Sequence, residues 1–143
     1  MTEVSWASDY VGLPFKDGGR DRAGLDCWGL VALVYAERLG IRLPDFAEVK
    51  AMDGRAVARA IVSQIDTGQW LPVLPGQVQE YDVVVMRGHV ERIGVPRHVG
   101  VVAPHGTVLH VEDGIDAVCP RLTSALVKDR ICGIYRHHDI ASR

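Results

Sequence analysis

The stretch Asp26-Cys27-Trp28-Gly29-Leu30 decides the interpretation of this 143-residue chain, because it places one cysteine at the predicted start of an apolar helix. Leu30, Leu33 and Val34 recur at the spacing of a buried helical face, so the pattern predicts a helix from Asp26 onward. Asp26 is a residue type that caps helix starts, and Gly40 fits the end of the helix. A thiol there lies near unpaired N–H groups and the positive end of the helix dipole, which both favour the thiolate.

Two histidines lie far downstream in strand-like runs, over residues 97–102 (RHVGVV) and 108–111 (VLHV). A Pro-His-Gly turn signal separates the runs, so they are predicted to form a hairpin. His98 shares a strand face with Gly100, which leaves room for a neighbour, and His110 is expected opposite position 98 or one residue away. The two imidazoles are therefore predicted to be cross-strand neighbours, a few ångströms apart.

The set Cys27, His98 and His110 has the residue types of a nucleophile, its general base and an orienting residue. Two other interpretations stay open. The three side chains can be inert parts of the core, where free cysteine packs as a small hydrophobe. They are also zinc-ligand types, although a structural zinc site usually takes four ligands, from closely spaced positions.

The remaining patterns place helices in the first part of the chain and strands in the second. A helical turn is predicted over residues 6–10 and an amphipathic helix over 54–65, whereas 16–24 is a polar loop and 71–76 a turn-rich connector. Strands are predicted over 81–86, 97–103, 107–111, 115–119 and 130–136. This order predicts a single domain over residues 1–143 of the α+β class, with N-terminal helices packed on an antiparallel sheet of about five strands.

Composition excludes several partners. The net charge is −2 and no block of lysine and arginine occurs, so no nucleic-acid partner is expected. There is no apolar run of about 18 residues, so no membrane partner is expected either. The N-terminal residues do not have the pattern of a signal peptide, which indicates cytoplasmic synthesis. Nothing in the sequence indicates a cofactor.

The other cysteines and histidines are predicted to have no chemical role. An odd count of three cysteines does not indicate a disulfide framework. Cys119 and Cys132 lie in apolar strand-like runs and are predicted to be buried structural thiols. The remaining histidines are predicted to lie at the surface or in turns: His89, His105, His137 and His138.

Several segments, taken in order, resemble the NlpC/P60 family, the papain-like cysteine peptidases of bacterial cell walls. Residues 10–19 (YVGLPFKDGG) are similar to the family's Y-x-G-x-P-Y-x-x-G-G, and residues 24–31 (GLDCWGLV) to its G-x-D-C-S-G-L-V. Residues 74–85 resemble its L-x-P-G-D-L-V-F segment, with extra residues between glycine and aspartate. Residues 97–102 resemble its H-V-G-I-Y strand, and 108–111 the strand that carries its third polar residue.

The resemblance implies a role for each matched residue. Cys27 would be the nucleophile, His98 the general base, and His110 the residue that orients His98. The backbone N–H of Cys27 would donate to the oxyanion. Asp26, Phe15 and Trp28 would lie in or near the cleft, and two of these depart from the family pattern. Phe15 replaces a tyrosine, and Trp28 replaces a serine.

The resemblance implies an amidase or endopeptidase that cleaves peptidoglycan stem peptides, at bonds such as γ-D-glutamyl to diaminopimelate. The DCWGL variant resembles phage tail-assembly members of the family, so phage tail proteins are expected partners. Two alternatives remain. One is a tail-tip structural or assembly protein with the same fold and little hydrolysis. The other is a papain-like enzyme with another acyl-transfer chemistry.

Overall fold

The computed structural model describes residues 5–46, 49, 54–88 and 96–142. Within these ranges the helices are α1 (Cys27–Val34), α2 (Gly54–Ile65) and α3 (His138–Ala141). The strands are β1 (Arg20–Asp21), β2 (Gly24–Leu25), β3 (Trp70–Pro72), β4 (Val83–Arg87), β5 (Pro96–Ala103), β6 (Thr107–Glu112), β7 (Ile115–Val118) and β8 (Ile131–His137). None of the helices in these ranges has the length and apolar character needed to cross a bilayer.

One antiparallel sheet forms the centre of the described structure, in the order β3-β8-β4-β5-β6-β7. The α+β class is confirmed, with six strands in this sheet rather than about five. The additional strand, β3, lies partly in the segment 71–76 that was predicted to be a connector. Its Pro72 pairs with Tyr135 at the sheet edge, where a residue without an N–H is tolerated. A two-stranded hairpin, β1-β2, forms inside the predicted polar loop.

Helix α1 begins and ends as its sequence predicts. The Asp26 side chain accepts a hydrogen bond from the Gly29 N–H (2.8 Å), which satisfies one of the unpaired donors of the first turn. The helix continues as a π-helical turn, Tyr35–Leu39, and stops at Gly40, whose φ of 67° is left-handed. The predicted second helix is also confirmed, over Gly54–Ile65.

The packing of α1 against the sheet positions the candidate site. Leu30, Val31 and Val34 are fully buried in the main apolar core, together with Val101 of β5 and Leu109 of β6. Burying side chains of this size contributes about 1.5–3 kcal/mol each. The N-terminus of α1 is thereby fixed relative to strands β5 and β6. A second, smaller cluster covers the other face of the sheet: Val84, Met86, Val102, Val108 and Val127.

Two predictions about individual residues were wrong. Cys132 is exposed on β8, next to a register shift at Met86 that interrupts the regular alternation of side chains, and Cys119 is only half-buried. His137 is buried, because the rings of Trp70 and Tyr35 pack edge-on against its imidazole. His138 is exposed and His105 lies in a turn with a φ of 65°, as predicted. His89 lies outside the described residues.

Replacing Gly29 by alanine is expected to destabilise the protein, although alanine normally favours a helix by about 1 kcal/mol. A Cβ at this position would lie 2.1 Å from the backbone oxygen of Gly19, so the hairpin β1-β2 and α1 must separate. We expect Gly29→Ala to lower the free energy of unfolding by about 3 kcal/mol in urea denaturation. Gly76→Ala is the control, since no heavy atom lies within 4 Å of its added Cβ. A Gly29→Ala variant as stable as the wild type would contradict this packing.

Candidate active site

Cys27 occupies the first position of α1 and opens into a cavity of about 250 Å³ that His98 also lines. The half-buried thiol is reached from this cavity, between the start of the helix and strand β5. The Asp26 cap fixes the first turn of α1, and the apolar core fixes α1 on the sheet. Cys27 of α1 and His98 of β5 therefore line the same cavity. The predicted association of Cys27 with His98 is therefore present in the fold.

The His98 and His110 rings are hydrogen-bonded to each other. Nε2 of His98 lies 2.8 Å from Nδ1 of His110, and the ring planes meet at 69°. Both side chains are nearly excluded from solvent, at 3% and 4% exposure. The prediction that the imidazoles are neighbours is confirmed. Gly100 provides the space, since a Cβ there would lie 3.1 Å from Cβ of His110.

The register of the hairpin differs from the predicted one. Ala103 pairs with Thr107 across the three-residue loop, and Val101 pairs with Leu109. Continuing this register places His110 opposite Gly100, so His98 and His110 are diagonal neighbours two residues apart. A shift of two residues keeps both side chains on one face, because side chains alternate along a strand. The two rings are neighbours for that reason, despite the different register.

Glu112 and Arg130 complete a buried polar cluster that the sequence analysis missed. Arg130 donates two hydrogen bonds to the Glu112 carboxylate, both of 2.9 Å. The carboxylate oxygens lie 4.0 Å from Nε2 of His98 and 4.0 Å from Nδ1 of His110. The available signal was the two-residue spacing from His110 to Glu112, which places both side chains on one face of β6. No sequence pattern indicated Arg130, which comes from a separate turn after β7.

The geometry of His98, His110 and Glu112 is that of a hydrogen-bonded cluster rather than a zinc site. These three residues have ligand-type atoms within 4.8 Å of one another. Two nitrogens bound tetrahedrally to zinc at about 2.1 Å would lie roughly 3.4 Å apart, whereas here they are 2.8 Å apart. Both oxygens of Glu112 are already bonded to Arg130. The arrangement therefore fits a direct hydrogen bond between the rings.

The helix N-terminus alone does not make Cys27 a thiolate, contrary to the expectation from its position. Burial and then the charge of Asp26 raise the pKa of the thiol to about 12, against backbone N–H groups of Val99 and Trp28 that lower it. Deprotonation at neutral pH therefore needs a base, and His98 lines the same cavity. A neutral thiol with a neighbouring imidazole is the resting form that this environment favours.

The pKa values of the surrounding groups are also displaced. Burial lowers the pKa of His110, with Glu112 opposing that effect and Arg130 adding to it, so the ring stays neutral. Burial by itself would raise the pKa of Glu112, but the Arg130 hydrogen bonds and the nearby imidazoles lower it to about 2. Glu112 is thus a carboxylate, and His110 a neutral acceptor, throughout the physiological pH range.

Asp26 lines the cavity, but its carboxylate is occupied by hydrogen bonds that stabilise the fold. It accepts hydrogen bonds from the Gly29 N–H, from Nη1 of Arg20 (2.6 Å) and from the Gly18 N–H (3.2 Å). The carboxylate thereby ties the hairpin β1-β2 to the start of α1. Its remaining effect on the chemistry is electrostatic, through the raised pKa of Cys27.

An apolar and aromatic wall faces Cys27 across the cavity. Trp28 donates its indole N–H to the Pro44 carbonyl (2.6 Å) and packs edge-on against Phe46. Phe15 contributes a ring without a hydroxyl, so no tyrosine-type donor stands at this position. Three of the six other apolar lining side chains belong to α2, and the full set is Val49, Val57, Ala60, Ile61, Val99 and Val111. The predicted cleft residues therefore all line the cavity, and Trp28 also holds residues 44–46 in place.

The fold and site define a papain-like α+β protein, in which a helix with cysteine at its start packs on an antiparallel sheet that carries histidines. The chain belongs to the NlpC/P60 family, which matches residues 12–136.

Relatives support this assignment at two levels. The chain is 28% identical over 138 residues to the gamma-DL-glutamyl hydrolase of Bacillus subtilis. The match covers 96% of this chain but only 29% of that protein. In structure it resembles a lipoprotein-like NLP/P60 family protein of Staphylococcus aureus (TM-score 0.63, 24% identity, covering 92% of this chain and 38% of that one). It also resembles the NlpC/p60 domain of the peptidoglycan hydrolase SagA (0.60, 20%, covering 91% and 92%). A Bacillus cereus family protein is similar as well (0.66, 20%, covering 92% and 37%). The structural similarities support the fold alone.

Removing the imidazole of His98 is expected to suppress the reactivity of Cys27 at neutral pH. A thiol with a pKa of about 12 is thiolate in about one molecule in 10⁵ at pH 7. We expect iodoacetamide to alkylate wild-type Cys27 readily at pH 7, and His98→Gln to reduce that rate by about 100-fold or more. Peptide mass spectrometry measures each cysteine separately, and the exposed Cys132 is the internal control. Equal rates for Cys27 in both proteins would show that His98 does not act as its base.

Proposed function

We propose that this chain is a cysteine peptidase that hydrolyses peptide bonds in the stem peptides of peptidoglycan. The observation that carries the proposal is the cavity shared by Cys27 and His98, with His110 hydrogen-bonded behind His98. Cysteine, base and orienting residue are the parts that nucleophilic catalysis by a thiol requires. Membership of the NlpC/P60 family supports the same chemistry.

Each proposed step uses a group described above. Because Nε2 of His98 is engaged with His110, Nδ1 of His98 is the nitrogen that takes the proton from Sγ of Cys27. The thiolate attacks the carbonyl carbon, and the backbone N–H of Cys27 donates to the oxyanion. The protonated His98 then gives its proton to the leaving amine, which leaves a thioester on Sγ. Water, activated by His98, releases the acid and restores the thiol.

The orienting role of His110 follows from its neutral state. In the reactive arrangement His98 donates through Nε2–H to Nδ1 of His110, which fixes the tautomer of His98 with Nδ1 unprotonated. Burial lowers the pKa of His110, so it remains an acceptor when His98 becomes charged. A protonated imidazole at this position would present a donor instead.

The proposed bond is one that follows a γ-linked D-glutamyl residue. Support comes from the Bacillus subtilis relative, which is named a gamma-DL-glutamyl hydrolase. Such a substrate carries a free carboxylate next to the scissile bond, and Arg97 lines the cavity immediately before His98. The apolar wall of Trp28 and Phe46 opposite fits uncharged side chains, such as the methyl groups of alanine in stem peptides.

Purified peptidoglycan is the direct test of the hydrolase. We expect the wild-type protein to release fragments whose masses, measured by mass spectrometry, place the cleavage after γ-D-glutamyl residues. Cys27→Ala should release none, while Cys132→Ala, which removes an exposed thiol of β8, should retain full activity.

Fragments released equally by Cys27→Ala would contradict the proposal. If Cys27 is readily alkylated yet no fragments appear from several wall types, another acyl-transfer reaction replaces hydrolysis of the wall. A slowly reacting Cys27 with no fragments would favour a structural protein with this fold.

We further propose that the chain acts as a phage or prophage tail component, synthesised in the cytoplasm and carried to the wall by the particle. The similarity of DCWGL at residues 26–30 to tail-assembly members of the family supports this. Mass spectrometry of purified tail particles is expected to detect the chain at a fixed ratio to a tail protein. Its absence from particles that are otherwise complete would contradict the tail assignment and leave the peptidase proposal standing.

A further inference from the structure

The buried ion pair of Glu112 and Arg130 lies directly behind the two histidines and has no part in the mechanism proposed above. Ion pairs that only stabilise a fold are usually placed at the surface, because desolvating two charges is costly. Here both partners are buried, on the one side of the sheet that faces the candidate site. The placement therefore calls for a specific explanation.

The pair presents its negative end to the histidines. One carboxylate oxygen of Glu112 lies 4.0 Å from Nε2 of His98, and the other lies 4.0 Å from Nδ1 of His110. Arg130 binds the same two oxygens at 2.9 Å, in a bidentate geometry that fixes the orientation of the carboxylate. Neither distance to a histidine is a hydrogen bond, so Glu112 acts on the rings through its charge.

We infer that Glu112, oriented by Arg130, is a positioning residue that stabilises the protonated form of His98 and so favours transfer of the Cys27 proton to His98. The inference rests on the proposed thiol chemistry. The transfer moves one proton from Sγ of Cys27 to Nδ1 of His98, which leaves a thiolate and an imidazolium and no net change of charge. The charge of Glu112 also raises the pKa of Cys27, but it is the smallest of the causes that do so. Because Nε2 of His98 lies only 4.0 Å from the carboxylate, the net effect of this charge favours the transferred state.

The charged groups around His98 are consistent with this role. Glu112 and His110 face it from β6, and Arg130 lies behind Glu112. The titratable and charged residues that line the cavity on the other side of His98 are Cys27, Asp26, Arg20, Arg97 and Asp113. The Asp26 carboxylate is bonded to Arg20 and caps α1, so it opposes formation of the thiolate. Glu112 is the carboxylate that lies within 4.0 Å of the histidine pair among the described residues.

Alkylation of Cys27 tests the inference without a substrate. Glu112→Gln keeps the shape of the side chain and one acceptor for Arg130 but removes the charge. We expect the iodoacetamide rate of Cys27 between pH 6 and 8 to fall by about tenfold, and the midpoint pH of the rate profile, which follows loss of the His98 proton, to fall by about one unit. Glu112→Asp, which retains the charge, should recover most of the rate. Glu37→Gln is the matched control, because Glu37 also holds an arginine and a tyrosine but lies outside the cavity.

The outcomes are distinct from those that test the peptidase. If the wild-type Cys27 reacts readily and Glu112→Gln has the wild-type pH profile, the inference is overturned while the peptidase proposal stands. A profile equally displaced in Glu37→Gln would also overturn it. Should Glu112→Gln fail to fold, ¹⁵N NMR of the imidazoles in wild-type protein, compared between Arg130→Lys and wild type, provides the test. The midpoint for protonation of His98 should change when the carboxylate is held less rigidly, and an unchanged midpoint would overturn the inference.

Discussion

The hydrogen bonds of the Asp26 carboxylate are the constraint on which the rest of the site depends. This one buried side chain accepts from the first turn of α1, from Arg20 and from Gly18. It therefore joins a helix start to a hairpin that would otherwise be a mobile glycine-rich loop. The absence of a side chain at Gly29 lets the two approach so closely. Cys27 is held by this cap and by its own packing against the main apolar core.

The helix and the sheet contribute different groups to the candidate site. The helix supplies a thiol whose surroundings oppose ionisation. The sheet supplies two buried, hydrogen-bonded histidines with a carboxylate beside them. Neither half is reactive by itself: burial and Asp26 hold the pKa of Cys27 high, and burial keeps His110 neutral. The proposed reaction requires that the thiol and His98 meet at the cavity, so the apolar packing of α1 on β5 and β6 supports that proposal.

Much of the fold could be predicted from local patterns, because those patterns reflect physical requirements that act over a few residues. The start of α1, its end at Gly40 and the helix over 54–65 follow from capping and amphipathic spacing. The proximity of His98 and His110 followed from strand alternation, even with the register displaced by two residues. Strand β3 was missed because three residues that end in proline carry no strand pattern of their own.

The part of the site that could not be predicted depends on contacts between distant segments. Arg130 reaches Glu112 from the turn Lys128–Arg130, which lies far from Glu112 in the sequence and just before β8. A burial state such as that of His137 depends on which aromatic rings surround it. The displaced pKa of Cys27 likewise arises from the finished cavity, whereas position on a helix alone indicated the opposite direction.

The distribution of the polar groups along the chain has a further consequence. His98, His110 and Glu112 lie within one hairpin, whereas Cys27 comes from an element some 70 residues earlier in the sequence. A small loosening of the helix from the sheet would separate acid from base with every hydrogen bond of the histidine pair intact. The distance between thiol and imidazole, on which the proposed proton transfer depends, is therefore set by the packing of α1 on the sheet.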